Sequence, residues 1–137
     1  MSKNSPFPPL LRGLLACVLA LFIPACELMS DASAQVDLNQ LQTAHLGFID
    51  AHTSTAAPAQ WDEAAFNSEV AAITTQFTNT ASYVPKAVPA RRQFISNSAD
   101  LFQRDVATVR KNHFLSPTYA AFKKKQIQQN YSVIIKP

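Results

Sequence analysis

Beyond residue 36 the apolar side chains recur every three or four positions, and only one glycine, Gly47, is left in that part of the chain. Together these two features limit the fold more than anything else in the sequence. Spacings of three and four put side chains on one side of an α-helix. The tight turns of an all-β fold instead need residues that accept positive φ, glycine above all. Breaks in the pattern fall at prolines: Pro58, Pro85, Pro89 and Pro117.

Four amphipathic segments follow. The first is expected to start at Asp37, which can cap the first turn while Gln40 reaches back, with Val36 and Leu41 as a hydrophobic staple. Its apolar face is Leu38, Leu41, Phe48 and Ile49, continued by His45 and His52. It ends near Thr53, ahead of a loop that contains Pro58. Asp62 caps the second segment, with Trp61 and Phe66 as a second staple, and Phe66, Val70, Ile73, Phe77 and Ala81 form its stripe. The third runs from about Ala90 to His113, with Ile95, Ala99, Phe102, Val106, Val109 and His113 in line and Phe94 and Leu101 beside them. Ser116 as N-cap and Pro117 in the first turn start the fourth. It is expected to reach about Asn130, with Ala120, Ile127 and Tyr131 on one side and Tyr119 and Phe122 next to them. Residues 132–137 read equally well as a short strand or as an extended tail. Four one-sided helices with short joints predict an all-α fold, a small antiparallel four-helix bundle over residues 37–137.

The start of the chain reads differently. Lys3 and Arg12 precede an uncharged apolar run, Leu14 to Ile23. A run of about 10 residues is too short to span a hydrocarbon core, which takes about 20, and a short run behind a basic flank reads as a cleavable export signal. Ile23-Pro24-Ala25-Cys26 closes the run. That tetrad resembles the lipobox of bacterial lipoproteins, in which an aliphatic residue, a variable residue and a small residue precede a cysteine; Pro24 stands where a small residue is usual. The resemblance covers the leader alone. It implies a signal peptide over residues 1–25, Cys26 as an acylated mature N-terminus, and residues 26–36 as a lipidated tether. Through the family's sorting pattern, Glu27 after the cysteine implies the outer membrane, facing the periplasm. Two or more acyl chains anchor stably where a single chain does not. A second cleavage site, Ala32-Ser33-Ala34, would instead release a periplasmic protein beginning at Gln35.

Export sets the redox setting, yet Cys17 lies in the leader, so processing at Cys26 leaves no pair for a disulfide. His45 and His52 sit about 10 Å apart along a helix, too far to share one metal at Zn–N distances of about 2 Å. His113 could meet one of them across the bundle, but each histidine is expected as a core or edge residue with its own partner. The chain has no nucleophile elbow, phosphate loop or dinucleotide fingerprint, so neither catalysis nor a cofactor is expected. Phe48, Phe66, Phe77, Phe94, Phe102 and Phe122 read first as core, and as the walls of a heme, metal or lipid site second.

Charge is split along the chain. Seven acids and no Lys or Arg lie between Glu27 and Pro85, while ten of the twelve Lys and Arg follow, against Asp100 and Asp105 alone. The halves must pair with each other or leave a basic surface. Lys123, Lys124 and Lys125, with Arg91 and Arg92, are the residues expected to touch an anionic envelope component or an acidic protein. An exported chain is not expected to meet nucleic acid.

Overall fold

The computed structural model describes residues 34–83 and 89–135. The leader, Cys26 and the tether up to residue 33 lie outside the described residues, as do 84–88 and 136–137. Four helices make up the described chain: α1 over 34–51, α2 Glu63–Tyr83, α3 Pro89–Asn112 and α4 Pro117–Ile135.

Side-chain pairs give the topology directly. The end of α1 meets the start of α2 through Phe48 and Phe66, and His45 reaches the later Phe77. Along α2 and α3, Asn67 pairs with Arg110 and Thr74 with Gln103. Along α3 and α4, Asp105 pairs with Tyr119 and Phe94 with Tyr131. Lys124 of α4 returns to Asp50 of α1. Each neighbour therefore runs opposite to the last, and the ring of four closes: the antiparallel four-helix bundle expected from the stripes.

The helix starts follow local chemistry. The Asp62 carboxylate accepts from the Ala65 N–H at 2.9 Å, and Trp61 packs on Phe66 with ring centroids 4.9 Å apart, so cap and staple stand as read. Ser116 caps α4, accepting from the Tyr119 N–H at 3.3 Å, and Pro117 fills the first helical position. Pro89 does the same for α3. At α1 the expectation fails. Residues 34–36, assigned to the tether, are already helical; Ala34 is buried, and Asp37 is a helix-interior residue rather than a cap. The far end of the chain differs as well. Residues 132–135 are neither strand nor tail, because α4 continues through them to Ile135.

The core is the set of stripes turned inward. Leu38, Leu41, Phe48, Ile49, Phe66, Ile73, Phe77, Ile95, Phe102, Val106, Val109, Ala120, Ile127 and Tyr131 are all buried. Phe102 sits at the centre, with ring centroids 5.1 Å from Phe48, 5.7 Å from Phe77 and 5.4 Å from His45. Phe122 departs from the reading: it is 64% exposed. No described helix is long and apolar enough to cross a membrane.

Gly47 makes no turn. It lies inside α1 on the exposed side, and a Cβ added there would meet nothing within 4 Å. The left-handed position that helix ends usually give to glycine falls to His113, at φ 66° just past α3. Two outcomes are expected from chemical denaturation. Gly47→Ala should gain about 0.5–1 kcal/mol, since it only restricts the unfolded chain. Phe102→Ala should lose about 3–5 kcal/mol by opening a cavity, against less than about 0.5 kcal/mol for Phe122→Ala.

Candidate functional site

Two places in the bundle gather polar chemistry. The first lies in the core. Asp105 occupies the α3 stripe between Phe102 and Val109 and has no solvent exposure. Its Oδ2 takes a hydrogen bond from His45 Nε2 at 3.1 Å; its Oδ1 takes one from Lys123 Nζ at 2.9 Å and one from the Tyr119 hydroxyl at 3.1 Å. One carboxylate thus joins α1, α3 and α4. A carboxylate can only accept, so His45 carries its proton on Nε2, and its buried Nδ1 has no hydrogen-bond partner among the described residues. Burial by itself would raise the Asp105 pKa. Hydrogen bonds from His45 and Lys123, with the charge beside them, outweigh burial and hold the carboxyl below its usual value. Further along the core, burial raises the Tyr131 phenol above its ordinary range, against the opposing pull of Ser98.

This arrangement corrects the reading of the lysine run. Lys123 points inward, buried against Asp105, with its ammonium 5.5 Å from the centre of the Tyr119 ring. Lys124 is held by Asp50 at 2.8 Å. Lys125 alone of the three is exposed and has no ion pair among the described residues, so the run does not form a single basic face. At the start of α3, Arg92 is exposed and Arg91 half-buried. The signal for Asp105 and Lys123 was in the spacing. Ala120, Lys123, Ile127 and Tyr131 repeat at three-four-four, and Asp105 stands three after the buried Phe102 and four before the buried Val109. A lone acid in one apolar stripe and a lone base in another are partners in waiting.

The second place is a cleft of about 310 Å³ at the end of the bundle where the α1–α2 loop meets the α3–α4 turn. Backbone bonds lash the two connections together: the Leu115 N–H donates to the His52 carbonyl at 2.8 Å, and the Ser54 N–H donates to the Leu115 carbonyl at 2.9 Å. The His113 N–H closes α3 on the Val109 carbonyl, as a left-handed cap requires. Its imidazole then lies flat on Trp61, centroids 4.4 Å apart and planes within 8°. That stack offsets the cost of positive φ at a residue with a Cβ. Across the cleft His52 and Glu69 pair at 2.9 Å, and Phe66, Pro58, Asp62 and Phe114 complete the walls.

Each histidine therefore has its own surroundings, as expected: His45 the core carboxylate, His52 the Glu69 carboxylate, His113 the Trp61 ring. His52 and His113 do line the same cleft. Among the described residues no three His, Cys, Asp or Glu side chains are grouped to hold a metal ion. Of the six phenylalanines weighed as cavity walls, Phe48, Phe77 and Phe102 are buried core, Phe66 is buried and also borders the end cleft, and Phe94 packs against Tyr131. A broader depression of about 500 Å³ along α1 and α2 carries no ionisable side chain. Comparison of the chain with protein-family models, with curated proteins and with solved structures finds no match.

The core network generates a stability prediction. Asp105→Asn keeps the shape but leaves the Lys123 ammonium buried without a counter-charge, which should cost about 3–5 kcal/mol. The sign of its pH dependence follows from the lowered pKa. Folded Asp105 binds a proton less readily than the unfolded residue, whose value is about 3.9. Its contribution is therefore complete above that value and is lost as the pH falls through the lower folded value. Urea midpoints measured from neutral to acid pH should show that acid limb in the parent and a flatter one in Asp105→Asn. A variant within about 1 kcal/mol of the parent at neutral pH would contradict the buried pairing.

Proposed function

We propose that this chain is a lipid-anchored protein of the bacterial envelope, held by an acylated Cys26, whose helical domain acts as a binding or structural module rather than as a catalyst. The observation that carries this reading is the position of Ile23-Pro24-Ala25-Cys26, directly at the end of the uncharged run and behind Lys3 and Arg12. Acylation there gives more than one chain, the condition for stable anchoring. Glu27 favours the outer membrane, with the domain facing the periplasm.

The bundle supports a role played at its surface. Phe48, Phe77 and Phe102 fill the interior against one another, and the charges buried there are spent on each other. A small ligand held between the helices would have to displace that packing. Contact with an anionic envelope component would fall to exposed side chains such as Arg92 and Lys125.

Cys26→Ala should abolish acyl labelling and move the protein from the membrane fraction to the soluble fraction. Unchanged fractionation of that variant would refute the anchor. Recovery of the parent in the inner membrane would refute the outer-membrane assignment alone.

A further inference from the structure

The cleft between the two lashed connections has a chemistry of its own. Its walls include the carboxylates of Asp62 and Glu69, the half-buried Trp61 ring and the almost wholly buried Phe66, and no Lys or Arg among the described residues lines it. Among the described residues each carboxylate makes one hydrogen bond, Asp62 through Oδ1 with the Ala65 N–H and Glu69 through Oε2 with His52. The second oxygen of each remains for a donor. Negative charge beside aromatic faces is the setting that favours a cation, through charge-assisted hydrogen bonds to the carboxylates and attraction to the rings. The molecule already shows the second preference close by: the Arg110 guanidinium lies 5.4 Å from the centre of the Phe66 ring. Arg110 is held there by Asn67 at 2.8 Å and is not part of the cleft lining. The local sequence adds to the field, since the chain from Glu27 to Pro85 carries acids and no Lys or Arg. A volume of about 310 Å³ suits one small group rather than an extended cofactor.

We propose that this cleft, walled by Trp61, Phe66, Asp62 and Glu69, binds a guanidinium or ammonium group carried on an apolar shank, the chemistry shared by arginine and lysine side chains and by free organic amines. The shank lies against the half-buried Trp61, backed by Phe66, and the charged head meets the two carboxylates. Trp61 and His113 hold the wall through their stack, and Glu69 divides its oxygens between His52 and the ligand. The proposal uses bundle residues only, so it stands whether or not Cys26 is acylated.

Trp61 is the only tryptophan in the chain, so its fluorescence reports the cleft directly. The full chain in detergent is titrated with N-acetyl-arginine amide and, in parallel, with the citrulline analogue, which keeps the shape and lacks the charge. The arginine compound should give a saturable change, and the citrulline compound should bind at least about tenfold more weakly. Glu69→Gln and Asp62→Asn remove the charges with little change of shape, and asparagine still caps a helix. Each should weaken the arginine compound about tenfold while the far-ultraviolet circular dichroism stays that of the parent. Two further arms separate the sources: tighter binding of a blocked Ala-Arg-Ala peptide assigns the site to a peptide side chain, and tighter binding of agmatine assigns it to a free amine. No saturable change up to about 10 mM, equal binding of the citrulline compound, or full affinity in both variants would overturn the proposal.

Discussion

The Asp105 carboxylate is the point on which the rest of the bundle depends. It is fully buried, and three helices meet on it through His45, Lys123 and Tyr119. A charge in that position is costly unless paired and hydrogen-bonded. Here the pairing also sets register. Sliding α4 by a turn would strand the Lys123 ammonium among apolar side chains, and sliding α1 would take His45 from its acceptor. The apolar stripes alone are less selective, because a stripe with repeats of three and four packs nearly as well one turn along. The network thus gives an otherwise greasy core one preferred alignment, at some expense in net stability.

That alignment is what builds the cleft. With α1, α3 and α4 in register, the ends of α1 and α3 come level, and the His52–Ser54 backbone can bond to Leu115. The α3–α4 turn is then short enough to need a left-handed residue, and His113 fills that position with its ring laid on Trp61. Phe66 closes the wall because Asp62 starts α2 beside Trp61. The cleft is therefore a consequence of helix register and two caps rather than a separate feature. Its acidic, aromatic character comes from the half of the chain that lacks Lys and Arg.

Much of the fold was legible in the sequence because its causes are local. Asp62 and Ser116 cap their helices, Pro117 sits in a first turn, and the stripes of Phe66, Ile73 and Phe77 or Ile95, Phe102 and Val109 face inward. The reading faltered where tertiary contact outranked local preference. Ala34 is buried, so α1 begins before its expected cap at Asp37. Residues 132–135 read as strand or extended tail, yet half-buried Ile134 and Ile135 pack against the core as helix. Lys123 to Lys125 read as a charged face because a run of like charges is usually solvated; only a long-range partner, Asp105, turns the first of them inward. The cleft was beyond local reasoning altogether, for it joins residues from 51 to 114.

The most direct test of the central claim is a double-mutant cycle between Asp105 and Lys123, measured as urea unfolding of the parent, Asp105→Leu, Lys123→Met and the double variant. Asp105→Leu leaves the Lys123 ammonium buried without its counter-charge, and Lys123→Met leaves the Asp105 carboxylate with His45 and Tyr119 as its donors, whereas the double change removes both charges. The account predicts a double variant markedly more stable than the sum of the single losses implies, with a coupling energy of about 1–3 kcal/mol. Additive losses, with a coupling below about 0.5 kcal/mol, would contradict it and show that the bundle does not depend on the pair.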